Sequence, residues 1–174
     1  MDNRPVDNVK KLSLSGILLA LTVITLLVES FAPTGRLSLY ALSSFFVSVI
    51  VLEFGIGAGW VFYIASAVLA FVVLPNKLET LPFILFFGVY GLIKYHIERL
   101  RNIFVEYALK LAFFGLVLAA AILFVREFLL SMTELSLPWG ALIALAVAVF
   151  LVYDYVYTLF IRYYRQKLKR ILKL

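Results

Sequence analysis

Six apolar stretches govern what this chain can become: Leu12–Ala32, Leu37–Phe54, Ile56–Leu74, Leu78–Ile93, Ile103–Val125 and Pro138–Phe160. An α-helix needs about 20 predominantly apolar residues to cross the hydrocarbon of a bilayer, and five of the six meet that length. The fourth is short and carries Pro82, Gly88 and Gly91. With 64% hydrophobic residues, 15% charged residues and a mean hydropathy of +1.05, no soluble fold of 174 residues could hide so much apolar surface. The short alternating segments of a β-barrel are absent, so the expected class is all-α, an integral membrane bundle of six transmembrane helices.

Breakers separate the spans. Pro33-Thr34-Gly35 ends the first, Gly55, Gly57 and Gly59 mark the second junction, and Pro75-Asn76 the third. No linker, repeat or second domain interrupts the pattern. Residues 1–160 are expected to form the six-span domain and 161–174 a basic amphipathic cytoplasmic tail. Arg4, Lys10 and Lys11 precede the first span as in a signal peptide, but Leu12–Val28 is longer than a signal core, which points to an uncleaved helix.

Charge sets the expected orientation. With both termini cytoplasmic, the inner segments hold Arg4, Lys10, Lys11, Lys94, Arg99, Arg101, Arg162, Arg165, Lys167, Lys169, Arg170 and Lys173. The outer segments hold only Arg36, Lys77 and Arg126, and Lys110 lies within a span. This is the positive-inside pattern. It also accounts for the net charge of +6 without nucleic acid, for which no basic soluble domain exists. Trp60 then falls near the inner interface and Trp139 near the outer one. In the tail, Ile161, Tyr164, Leu168, Ile171 and Leu172 share one helical face. That face suits an anionic inner leaflet, a solubilising anchor or a cytoplasmic partner.

Enzyme chemistry is not expected. There is no cysteine, His96 is the lone histidine, and no metalloprotease, nucleophile-elbow or phosphate-loop pattern occurs. No metal or cofactor is implied. The ionisable residues inside spans each need an account, because intramembrane charge costs ~2.5–3.5 kcal/mol on insertion scales. Glu106 and Lys110 stand four apart and can pair on one helix face, Asp154 lies near enough to the inner end of the last span for water or for Lys110, and Glu53 sits at the inner end of the second span. A structural ion cluster and a proton path both fit these four.

Small residues complete the pattern. Gly16 and Ala20 stand four apart near the inner end of the first span, beside Ser13, and let another helix approach closely. The third span carries Gly59, Ala65, Ser66, Ala67 and Ala70. Packing within the bundle and docking of a foreign helix both fit this pattern.

The stretch KKLSLSGILLALTVI resembles the first helix of the substrate-binding S components of energy-coupling-factor transporters, which carries two small residues four apart. Gly16 stands where the commoner first alanine would. LEFGIGAGWVFYIAS is similar to that family's glycine-marked turn, and FFGVYGLIKYHIER to its fourth span. A related resemblance, over roughly Lys10 to Arg101, is to bacterial membrane proteins of unknown function with the same fold. The resemblance implies a multi-pass protein of the bacterial cell membrane. It would bind a small, vitamin-like solute and dock through Gly16 and Ala20 onto a transmembrane coupling subunit driven by cytoplasmic ATPases. The solute site would lie at the outer end, with Arg36, Tyr40, Asn76, Lys77, Arg126, Glu134 and Trp139 as candidate lining residues. Arg36 would pair with an anionic group, and Tyr40 and Trp139 would stack on a ring. The plainer alternatives are an interface anchor for Arg36 and a membrane-belt role for Trp139. A non-transporting membrane scaffold that binds another membrane protein would use the same Gly16 face but be packed solid at the outer end.

Overall fold

The computed structural model describes residues 4–100, 102–132 and 139–168. Every regular element among them is helical: α1 (Arg4–Phe31), α2 (Arg36–Phe54), α3 (Ile56–Val73), a 3₁₀ turn (Lys77–Thr80), a π turn (Phe83–Phe87), α4 (Gly88–Ile97), a second 3₁₀ turn (Glu98–Leu100), α5 (Ile103–Met132), α6 (Trp139–Tyr163) and a terminal π turn (Tyr164–Leu168). Six of the helical runs are long and apolar enough to cross a membrane. The expected fourth span is corrected outward. It is a composite from Lys77 to Leu100 rather than Leu78–Ile93, because 3₁₀ and π turns carry the helix through Pro82 and past Arg99.

The described residues divide into two compact units: the chain up to His96 with the segment from Tyr164 onward, and Ile97–Tyr163. In the first unit α1, α2 and α3 pack against one another. The π turn adds to α2 and the first 3₁₀ turn to α3. Each helix buries one stripe: Leu18, Thr22 and Leu26 on α1; Tyr40, Ser43, Val47 and Ile50 on α2; Gly59, Phe62, Ser66 and Ala70 on α3. These follow the three-to-four-residue spacing of a helix face. The opposite faces expose Ile24, Val61, Val68 and Val72, as suits a surface solvated by lipid. Lipid tails are as apolar as leucine, so close packing and internal hydrogen bonds hold such helices together.

A single residue joins α2 to α3. Gly55 has φ 85° and ψ 172°, its N–H donates to the Val51 carbonyl, and its own carbonyl accepts from Gly59 at 3.1 Å. A side chain is disfavoured at that φ. The expected glycine-marked turn is therefore present, at its tightest. Gly59 then allows contact between elements: a Cβ there would collide with the Val51 side chain and come within 2.9 Å of Leu92.

The fourth span is irregular for a reason found on α3. Tyr63 donates its hydroxyl to the Ile84 carbonyl inside the π turn, at 2.7 Å. Its ring lies over Gly88, where a Cβ would stand 2.9 Å from both that ring and the Phe83 carbonyl. A π turn displaces a carbonyl from the regular ladder, and here an aromatic hydroxyl takes it up.

In the second unit, the rings of Phe114 on α5 and Phe150 on α6 stack at 4.5 Å, 9° from parallel. Near them Lys110 Nζ lies 3.2 Å from Asp154 Oδ2 and 3.1 Å from Glu98 Oε1. Of the two partners expected for Lys110, Asp154 is the one observed beside it, and the second observed partner is Glu98, which was not expected.

Candidate functional site

One end of the first unit gathers the polar groups. The chain leaves α1 after Phe31, turns through Ala32–Gly35 and enters α2 at Arg36. Gly35, at φ 77°, permits that entry and accepts from the N–H groups of Ser38 and Leu39. The 3₁₀ turn Lys77–Thr80 lies alongside, and Glu79 on it is the hub. Its Oε2 accepts from Ser30 Oγ at 2.5 Å, its Oε1 from Arg36 at 3.3 Å, and its backbone carbonyl from the Tyr40 hydroxyl. Arg36 Nε also donates to the Ala32 carbonyl at 3.1 Å and stands 3.8 Å from Glu29 Oε1.

Of the residues expected to line a solute site, Arg36 and Tyr40 join this cluster. Asn76 and Lys77 lie next to it but serve the backbone. Asn76 Oδ1 accepts from the Leu78 N–H at 3.1 Å, a cap for the 3₁₀ turn. Lys77 donates to the carbonyls of Phe71, Val72 and Leu74, which closes the end of α3, where carbonyls lack helical partners. Glu134 and the side chains of Arg126 and Trp139 lie outside the described residues.

Sequence reasoning passed over Glu29, Ser30 and Glu79. A signal for Glu29 was present: it is the only acidic residue between Lys11 and Phe31, and Thr25 and Thr22 precede it by four and seven positions. An acid in the last turn of a helix opposes the macrodipole, so its position there needs a tertiary reason.

The small-residue face lies toward the other end of α1. Gly16 and Ala20 are both exposed, and a Cβ at Gly16 would meet nothing within 4 Å. No described part of the chain covers it. A cavity of about 390 Å³ opens at the Gly55 end, lined by Val51, Leu52, Glu53, Gly55, Tyr95 and Arg165. Lys11 reaches the same end, 5.5 Å from the Phe54 ring. The cavity thus lies away from Arg36, at the end where the solute site was not expected. Elsewhere, His96 Nδ1 lies 2.9 Å from the Leu92 carbonyl, one turn back on its own helix.

No protein-family model, no curated protein and no solved structure matches this chain.

Proposed function

We propose that this chain is a non-catalytic subunit of a bacterial membrane transporter. It captures a small solute and docks, in the manner of an energy-coupling-factor S component, onto a transmembrane coupling subunit powered by cytoplasmic ATPases. Both termini face the cytoplasm in this reading, following the distribution of Lys and Arg. The observation that carries it is the uncovered face at Gly16 and Ala20. Small residues in a span are normally matched by a close neighbour, and this pair has none within the described chain. A partner helix lying there would contact backbone directly.

Gly16→Leu tests it. The added side chain has room in the isolated protein and none beneath a docked helix. Co-purification of a coupling subunit from native membranes should be lost while the melting midpoint and elution volume stay unchanged. Undiminished co-purification would remove Gly16 from the interface.

A second reading, a membrane scaffold that transports nothing, is favoured by one observation. Among the described residues, the polar groups expected to receive a solute, Arg36, Tyr40, Asn76 and Lys77, are engaged with Glu79 and with backbone groups. Mass spectrometry of the complex from native membranes separates the two. A transporter subunit carries a stoichiometric small molecule and ATPase subunits; a scaffold carries only its protein partner.

A further inference from the structure

The cavity at the Gly55 end is bounded by three segments of the first unit: the end of α2, α4 and the terminal π turn. Its volume of about 390 Å³ falls within the usual range of small-ligand sites, roughly 300–1,000 Å³. Val51 and Leu52 supply apolar wall. Each segment then brings one polar residue to the lining: Glu53 from α2, Tyr95 from α4 and Arg165 from the turn.

The two charges in that lining are opposite and do not close on each other. Among the described residues, Arg165 enters no ion pair or hydrogen bond, and the Tyr95 hydroxyl makes no hydrogen bond. Glu53 has a buried carboxylate oxygen, and the Tyr164 hydroxyl lies beside that carboxylate. Tyr164 is 3% exposed and directly precedes Arg165. The turn that carries the cation therefore also packs against the acid.

The surroundings give the depth of this end. Gly55 stands at the tip of two spans. Trp60 is exposed one turn into α3, and Lys11 reaches the Phe54 ring. Indole rings and lysine ammonium groups collect at the level of lipid headgroups. A ligand here meets headgroup chemistry on one side and apolar wall on the other.

A cation and an anion held apart in one cavity are complemented by a zwitterion. A primary ammonium has three hydrogens for an ionised carboxylate, which only accepts, and a guanidinium matches phosphate oxygens in pairs. A purely anionic headgroup would set its charge against Glu53. A quaternary ammonium has the right charge but no hydrogen to give. We propose that this cavity binds a phosphoethanolamine group, its ammonium on Glu53 and its phosphate on Arg165 and Tyr95. The site draws on neither Gly16 nor Ala20, so it stands or falls apart from the docking reading.

The test uses the full-length protein, delipidated in detergent and then titrated with lipid. Native mass spectrometry reads the lipid retained, and melting midpoints are followed in parallel. Dioleoyl phosphatidylethanolamine should be retained at one per chain and raise the midpoint. Dioleoyl phosphatidylcholine, equal in charge but without N–H groups, should be retained about tenfold more weakly, the fold-change for one lost hydrogen bond to a charged group. Glu53→Gln should bring these two lipids to similar retention. Arg165→Gln, at an exposed position, should weaken both about tenfold, which decides the matter should Glu53→Gln fail to fold. Water-soluble glycerophosphoethanolamine is added as a competitor. Displacement of the lipid by it assigns the site to the phosphoethanolamine group from either source, and undisturbed retention assigns it to the membrane lipid. Retention of phosphatidylcholine or anionic phosphatidylglycerol as strong as that of phosphatidylethanolamine overturns the proposal. So does unchanged phosphatidylethanolamine retention in either variant.

Discussion

At the scale of single residues, the two units use charge differently. Lys110 and Asp154 are 6% and 8% exposed in their side chains and 3.2 Å apart, while Glu98, the other partner of Lys110, reaches the surface. Removing one member of a buried pair costs roughly 3–5 kcal/mol, far more than replacing both by apolar groups of matched size. Lys110→Met should therefore lower the unfolding free energy by about that amount, and adding Asp154→Leu should return part of it. A double-mutant cycle in denaturant shows the recovery as a coupling energy; strict additivity would place the two side chains in separate roles. That Lys110 and Asp154 need partners was legible from hydropathy, because charges inside apolar runs are costly, but the sequence left Asp154 between water and Lys110 and did not point to Glu98. The Glu79 hub was not legible. Its importance lies in a backbone carbonyl and two carboxylate oxygens met by side chains from two other helices, α1 and α2, and nothing local in K-L-E-T announces that.

Elements show the same division between local and tertiary information. The ends of the first three spans were readable because proline, glycine and the edges of apolar runs act locally. Gly55 and Gly35 also fell where a positive φ is required. The fourth span was misjudged because its irregularity is answered from elsewhere in the fold. Gly88 reads as a weak point in a helix, yet its lack of a side chain is what admits the Tyr63 ring and leaves the π turn intact. Gly88→Ala should cost about 1–3 kcal/mol, the range for overpacking a close contact, and lower the melting midpoint. Gly57→Ala meets nothing within 4 Å and should change stability by no more than about 0.5 kcal/mol. Equal effects of the two substitutions would mean that Tyr63 yields freely and that the contact is not tight.

The whole molecule departs from a soluble protein in where its apolar side chains go. Phe104, Val61, Val72 and Ile103 are among the most exposed residues, while Thr22, Ser43, Ser66 and Glu29 are buried. This inversion makes the outward faces available to lipid and to other spans, so partners have to be sought in membranes. The chain contains no cysteine, so a single thiol introduced as Ala20→Cys is unique without further engineering. Cross-linking it in native membranes with a short thiol–amine or photoactivated reagent should yield one predominant heteromeric product. A ladder of products, or only a dimer of the chain with itself, would contradict docking of a dedicated partner at this face.

One small joint limits how the first unit can move. Gly55 alone separates α2 from α3, and both of its hydrogen bonds run straight into the flanking helices. Two rods tied so tightly at one tip can part only at the far tip, like the blades of tweezers. Parting there would separate the Arg36 and Lys77 segments and break the bonds that Arg36 and Tyr40 both make to Glu79, so that end is latched by α2 at two points.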